Sequence, residues 1–145
     1  MAMFTSFNIS ASGMTAQRLR SDTISQNLAN VNTTRTSDGG PYVRKTVVFA
    51  ERHVTPFDKV LMTATGMAGN GVKVTEVIED RATPMKMVYD PAHPDADENG
   101  YVTYSNVNTV TEMTNLIDAS RSYEANVTAF DAAKAMALKG LEINK

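Results

Sequence analysis

The residues best suited to chemistry are Asp95, Asp97 and Asn99, in the stretch HPDADENGYV. With Gly100 they match the first half of a calcium-binding loop, in which alternating oxygen ligands precede a glycine that allows a sharp turn. The pattern requires a bidentate Glu at its twelfth position, and that position is Asn106. Prolines just before the pattern disfavour the helix that would flank a calcium loop. The stretch therefore predicts a polar turn leading into a strand, with a calcium-dependent binding module as the minor alternative.

The chain has two histidines, His53 and His93, in separate predicted loops. No cysteine joins them to complete a zinc site, so both are interpreted as solvated loop residues. The sequence contains no nucleophile elbow, phosphate loop or dinucleotide fingerprint. Its carboxylates are scattered, without an apolar pocket that would separate their pKa values for acid–base work. We therefore predict that the chain is not an enzyme and takes no metal or cofactor.

The composition of the whole chain excludes further classes of protein. Its 145 residues suffice for one ordinary domain with an extended part. A net charge of −2 without blocks of like charge offers no footprint for nucleic acid or for a basic membrane-surface helix. No apolar run approaches the ~18 residues of a transmembrane helix, and no basic region and apolar run mark a cleavable signal. Many bacterial proteins lack cysteine, and this absence has no special meaning on the simpler interpretation; the alternative is a chain that travels unfolded to an oxidising compartment without cross-linking.

A first helix is predicted over residues 4–31, which contain no proline and a single glycine. Apolar residues recur there at the alternating three- and four-residue spacing of a coiled-coil seam. Asn30 and Asn32 tolerate the left-handed conformation in which helices commonly end, so we expect the helix to stop there. The seam residues predicted for this helix are Met14, Ile24, Leu28 and Val31.

A second, longer helix is predicted over residues 107–141. Thr109 and Glu112 have the spacing of a capping box, in which hydroxyl and carboxylate each satisfy a backbone N–H. An isolated helix so poor in strong helix formers is marginal in water, so both helices must find their stability in contacts with neighbours. We expect disordered ends in the isolated monomer. The seam residues predicted here are Met113, Leu116, Tyr123, Val127, Phe130 and Leu141.

Short β-branched or aromatic runs bounded by turn residues predict a β-rich centre. The expected fold class is α+β, with long N- and C-terminal helices forming a coiled-coil or bundle layer and a small β-rich insert between them. The segment 51–70 is predicted to be a long loop, either mobile or partner-facing. The predicted strands are 41–50, 71–80, 85–90 and 100–104, and the predicted segments are 1–33 (N-terminal helix), 34–106 (β-rich centre) and 107–145 (C-terminal helix).

Four blocks covering most of the chain resemble one known family. They are ISASGMTAQRLRSDTISQNLANVNTTRT, DGGPYVRKTVVF, ENGYVTYSNVNTVTEM and ASRSYEANVTAFDAAKAM. The first and last resemble the patterns of flagellar axial proteins in general. The two middle blocks resemble those of the bacterial flagellar basal-body rod proteins, and of the proximal rod in particular.

This resemblance implies a structural subunit of the proximal rod, which polymerises through its terminal helices and transmits torque. It implies partners among the other rod proteins (FlgB, FlgF, FlgG and FliE), further copies of the chain, and the flagellar type III export apparatus. It also implies export without a cleaved signal peptide and a location in the basal body, in the rod that spans the periplasm. The predicted seam residues would then be the subunit interface. The alternative within this class is a different rod- or hook-type axial subunit.

Overall fold

A computed structural model describes residues 2–37, 39–52, 60 and 69–142. It has a long helix at each end and two β-hairpins between them, which confirms the predicted α+β class. Most of the predicted 51–70 loop, including His53, lies outside the described residues. In chain order the elements are α1 (Ala2–Ala29), β1 (Lys45–Glu51), β2 (Val72–Glu79), β3 (Lys86–Tyr89), β4 (Tyr101–Tyr104) and α2 (Thr109–Glu142).

Helix α1 satisfies its many small polar side chains within itself. The hydroxyl of Thr23 donates to the carbonyl of Leu19 at 2.9 Å, and that of Ser21 donates to the carbonyl of Gln17 at 3.0 Å. A hydroxyl bonded to the preceding turn needs no water, so it can lie in a packed interface. Thr23 is accordingly buried.

The C-terminus of α1 differs from the expectation. The backbone N–H of Asn30 is shared between the carbonyls of Gln26 and Asn27, and the N–H of Val31 donates to Leu28. Three-residue bonds of this kind tighten the last turn. Within the described ranges every positive φ belongs to a glycine. The left-handed ending predicted at Asn30 and Asn32 is therefore wrong, because the tightened turn already occupies the terminal groups.

The N-terminus of α2 is capped by Asn108. Its side-chain oxygen accepts from the N–H groups of Val110 at 3.0 Å and Thr111 at 3.2 Å, which is the usual N-cap arrangement. The predicted capping box of Thr109 and Glu112 is wrong, since Thr109 is already the first helical residue. The Glu112 carboxylate turns inward to other elements instead.

The centre consists of two separate antiparallel ribbons. In the first, β1 pairs with β2 from Lys45 opposite Glu79 to Glu51 opposite Val72, with a bulge after Val48. The bulge adds twist to the ribbon. The second ribbon, β3 with β4, is four residues long on each side.

The two helices run antiparallel along each other. Near one end the rings of Phe7 and Phe130 lie 5.0 Å apart, and near the other the side-chain amide of Asn27 donates to Glu112 at 2.9 Å. The buried apolar residues lie along this pair and at the base of the ribbons: Ala16, Ile24, Tyr42, Val102, Val107, Ala119 and Ala133. No helix within the described ranges has the length and apolar character needed to span a bilayer.

Candidate functional site

The seam between α1 and α2 is built mainly from small residues. Ala16 is 2% exposed, and Ala119 is fully buried. At Gly13 the backbone lies so close to α2 that an added Cβ would stand 2.8 Å from the side-chain carbon Cγ of Asn126. Small side chains let helix backbones approach closely, so the pair packs without needing a continuous stripe of large apolar residues.

Some predicted seam residues do contribute to this intramolecular contact. Ile24 is buried, and Phe130 stacks against Phe7. Others are only half-buried in the single chain: Met14, Leu28, Val31, Leu116 and Val127. These side chains keep apolar surface that one chain alone does not cover.

Three predicted seam residues lie on the surface. Met113 is 55% exposed, Tyr123 is 39% exposed and Leu141 is 69% exposed. Val110 and Ile117 extend the exposed apolar surface at the start of α2. Packing against α1 therefore buries one face of α2, and apolar side chains stay exposed on another face.

Asn27 is the point at which α1 holds the first ribbon. Its side-chain amide donates to the carbonyl of Lys45 at 2.8 Å, and its oxygen accepts from the N–H of Lys45 at 2.9 Å. The side chain thereby pairs with the strand backbone as a neighbouring strand would. The hydroxyl of Tyr42 donates a second bond to the same oxygen, at 3.0 Å. Asn27 has no solvent exposure, so these bonds replace its water contacts.

Glu112 joins the same site from α2. Its side chain is 1% exposed, and its carboxylate accepts from Arg44 through both Nε, at 2.9 Å, and Nη2, at 2.8 Å. The second carboxylate oxygen accepts from Asn27. A buried carboxylate is tolerated only with a charged partner and satisfied oxygens, and both conditions are met. We call Asn27, Tyr42, Arg44 and Glu112 the polar node.

Asn106 extends the polar node toward the second ribbon. Its oxygen accepts from the backbone N–H of Arg44 at 2.8 Å, and its amide donates to the carbonyl of Asp80 at 2.7 Å. The guanidinium of Arg44 also lies 3.4 Å from the Asp80 carboxylate. One set of hydrogen bonds thus connects both helices and the first ribbon with the segment that follows β4.

Two acidic groups around the polar node have shifted pKa values. Burial, followed by the charges of Glu112 and Glu79, raises the pKa of the Tyr42 hydroxyl, because each disfavours the phenolate. Hydrogen bonds from Thr83, with smaller help from Ala82 and Arg44, lower the pKa of Asp80. The site thus favours a neutral Tyr42.

Sequence reasoning missed the polar node. Asn27, Arg44 and Glu112 lie within three of the blocks that carry the family resemblance, yet local patterns indicate a role for Glu112 alone, at a helix cap. The available signal is a carboxylate, Glu112, next to an apolar residue at the start of a helix. The chain also has an Arg and an Asn, Arg44 and Asn27, that are each next to an apolar residue. What no local pattern supplies is that residues 68 positions apart, Arg44 and Glu112, meet.

The acidic turn that matched half of a calcium loop makes its contacts within the chain. Asp97 Oδ1 accepts from the N–H groups of Asn99 and Tyr101, each at 2.9 Å. Asp95 accepts from the hydroxyl of Thr34 at 2.8 Å and lies 3.9 Å from Arg35. The turn thus folds itself and anchors on the segment after α1.

The arrangement around His93 is equally local. Its Nδ1 accepts from the backbone N–H of Asp95 at 3.1 Å, and its ring lies edge-on to Tyr104. In the part of the chain that the structure describes, no three His, Asp or Glu side chains stand close enough to hold a metal ion. The features that remain as a functional site are the helix pair, its exposed apolar residues and the polar node that orients them.

Comparison with known proteins agrees with a site formed by the two terminal helices. Residues 7–35 match the family model described as flagella basal body rod protein, and residues 98–143 match the C-terminal model of the flagellar basal body rod FlgEFG proteins. The flagellar basal-body rod protein FlgC of Bacillus subtilis is 47% identical, with all of both chains covered. The namesake of Borreliella burgdorferi is 46% identical over 99% of this chain and 98% of its own, and that of Escherichia coli O6:H1 is 43% identical over the full length of both. The chain belongs to the family of flagellar basal-body rod proteins, in its FlgC branch.

Proposed function

We propose that the chain is a structural subunit of the proximal rod of the flagellar basal body, which polymerises through its paired terminal helices and transmits torque. The observation that carries the mechanism is the exposure of Met113, Tyr123 and Leu141 on a helix whose other face is already packed. Each such side chain contributes roughly 1.5–3 kcal/mol when a neighbour buries it fully. Many such contacts around an axis resist twisting.

The polar node gives this mechanism its stiffness. In an assembly that transmits torque, the helices and strands of each subunit must keep their positions relative to one another. Asn27, Arg44 and Glu112 tie both helices and the first ribbon together. The bonds to the Glu112 carboxylate are charge-assisted, which makes them strong and directional. The subunit acts by contact and performs no catalysis.

The predicted interface residues remain Met14, Ile24, Leu28, Val31, Met113, Leu116, Tyr123, Val127, Phe130 and Leu141. We assign their neighbours to other rod proteins, FlgB, FlgF, FlgG and FliE, and to further copies of the chain. Delivery is by the flagellar type III export apparatus, without removal of an N-terminal signal. The small, satisfied polar side chains of α1 fit a helix that packs on several sides.

Three measurements test this function. Basal bodies isolated from a strain with a tagged copy should contain the chain, and deletion of its gene should leave basal bodies without a rod. Mass spectrometry of the recovered chain should show residues 4–31 intact. A tagged chain that stays in the cytoplasm of swimming cells would contradict the structural role, and cleavage within residues 4–31 would contradict the export route.

A further inference from the structure

The ribbon of β3 and β4 presents a face on which no other described element packs. Tyr89 and Tyr101 are paired across the two strands, and their rings lie edge to face, 5.3 Å apart. Tyr89 is 64% exposed and Met87, on the same face, is 61% exposed. Val102 on the opposite face has no exposure at all. The ribbon thus buries Val102 on one side and leaves an aromatic side open, here called the tyrosine face.

The surroundings of the tyrosine face are acidic. The connection between the two strands, residues 90–100, contains four Asp or Glu residues and no Lys or Arg. Lys86, the first residue of β3, lies on the opposite face of the ribbon. Asp90 and Glu98 lie in the connection between the two strands, and both belong to the ribbon that carries the tyrosines. Exposed tyrosine and methionine beside negative charge fit a partner that is apolar and cationic.

A groove of that character lies on the same chain, between α1 and β2. It encloses about 450 Å³. The hydroxyl of Ser12 forms its floor by accepting from the N–H of Val72 at 3.1 Å. Arg52 and Lys73 also line it, both are exposed, and neither forms an ion pair with another described residue. Its described apolar lining is Ala11, Ala16, Leu19, Val72 and Val74, with no carboxylate among the described lining residues.

The tyrosine face and this groove do not meet within one chain. Among the described elements, neither β3 nor β4 contacts α1 or β2. No other described element therefore covers either surface, and a contact between molecules can use both. A contact that joins two different surfaces of identical subunits repeats in one direction and does not close on itself as a two-fold contact does, which suits a rod.

We propose that the tyrosine face of one copy docks in the α1–β2 groove of the next copy. Tyr89 and Tyr101 enter the groove, Arg52 and Lys73 lie against the aromatic rings and the acidic connection, and the opposite charges fix the orientation. Tyrosine and arginine are the residue types that carry most binding energy at such contacts. This inference rests on the proposed function, since it names one subunit contact within the rod.

The test uses site-directed disulfide cross-linking, which is unambiguous because the chain has no cysteine of its own. Two differently tagged copies, one with Lys73→Cys and one with Glu98→Cys, are produced together in a strain that lacks the native gene. Basal bodies are isolated, oxidised and examined for a species that carries both tags. The matched control replaces Lys73→Cys by Thr128→Cys, an exposed position on α2 away from the groove. We expect the first pair to cross-link roughly tenfold more than the control, as a specific contact requires.

Charge reversal provides a second, independent readout. When one copy carries Lys73→Glu, the amount of untagged chain that a tagged chain co-precipitates from solubilised rods should fall roughly tenfold. Glu98→Lys on the partner copy should restore this amount, because the two charges are then opposite again. Urea unfolding midpoints equal to that of the parent chain verify that both variants fold.

The outcomes separate the contact from the function. If the chain is present in basal bodies but positions 73 and 98 cross-link no more than the control pair, the proposed contact is wrong and the rod function is unaffected. A cross-link from position 98 to another rod protein and not to position 73 also overturns it, because the occupant is then not a second copy. Chain absent from basal bodies overturns the rod function and this contact with it.

Discussion

The guanidinium of Arg44, one residue before β1, donates to the buried carboxylate of Glu112, in the first turn of α2, at 2.8 Å. Asn27, near the end of α1, donates to the same carboxylate at 2.9 Å. One side chain therefore fixes three elements at the end of the helix pair. Near the far ends of the helices the rings of Phe7 and Phe130 pack together. An aromatic contact constrains geometry less than a buried charge-assisted hydrogen-bond network does, so we expect rigidity to decrease with distance from the polar node.

The first prediction concerns Glu112. Glu112→Ala leaves Arg44 and Asn27 without their acceptor in a buried site, so we expect the free energy of unfolding to fall by roughly 3 kcal/mol. Urea denaturation of the purified chain measures this loss. The matched control is Glu142→Ala, which removes an exposed ion pair with Lys139 and should cost about 0–1 kcal/mol. Equal losses in the two variants would show that the polar node is not the main link.

The second prediction concerns the close approach of the helices. Gly13→Val places side-chain atoms where Asn126 lies and should destabilise the fold by roughly 1–3 kcal/mol. Adding Asn126→Ala should recover part of the loss, because it makes room. Gly140→Ala is the control: its Cβ would meet nothing within 4 Å, and replacing a helical glycine should stabilise by up to about 1 kcal/mol. If Gly13→Val is as harmless as Gly140→Ala, the seam is not tightly packed.

The third prediction is a pH dependence from Tyr42. Its pKa in the folded chain is raised above the ordinary value of 10.0, so its contribution to stability is complete below that value and is lost as pH rises through the folded pKa. Tyr42→Phe should cost about 1 kcal/mol at neutral pH through the lost bond to Asn27. The cost should shrink in alkaline solution above the ordinary pKa. The measurement is the urea unfolding midpoint of the parent chain and of Tyr42→Phe from neutral to alkaline pH. A difference between the two midpoints that does not change with pH would exclude the expected titration.

The fourth prediction separates assembly from folding. Met113→Asp and Leu141→Asp change exposed residues, so the unfolding free energy of the monomer should stay within about 0.5 kcal/mol of the parent value. Both variants should abolish swimming, because a charge cannot be buried in a neighbour's apolar surface. Thr128→Asp is an exposed control outside the predicted interface and should swim. Normal motility of both interface variants would refute the interface assignment.

The fifth prediction concerns the monomer in solution. Phe4 is 69% exposed at the start of α1, and Met136 and Leu141 are equally exposed at the end of α2. Limited proteolysis should cut these ends first, since little buried surface offsets the entropy of ordering them. Fragments should retain the polar node. Helix ends as resistant as the centre would contradict the account.

The sequence allowed the large elements to be predicted because their signals are local. The predicted helices, 4–31 and 107–141, differ by two residues or fewer at each end from Ala2–Ala29 and Thr109–Glu142. The four predicted strands all occur, in shorter form. Long stretches without proline and short β-branched runs between turn residues depend on backbone preferences alone.

The contacts between elements could not be predicted in the same way. The three- and four-residue spacing indicates large apolar residues as the seam. The seam within one chain instead uses Gly13, Ala16 and Ala119, whose small size lets the two helix backbones approach closely. Glu112 has the spacing of a cap, yet the partly buried guanidinium of Arg44 attracts its carboxylate more strongly than an exposed helix terminus does. The assignment of the exposed stripe to neighbouring subunits remains a prediction.

The most direct test of the central claim is a structure of the intact basal body, resolved well enough to place the side chains of residues 110–141. The account predicts that Met113, Tyr123 and Leu141 are buried against neighbouring subunits, while Glu112 keeps its bonds to Arg44 and Asn27. If those three side chains face solvent in the assembled rod, the helix pair is not the assembly surface and the account is contradicted.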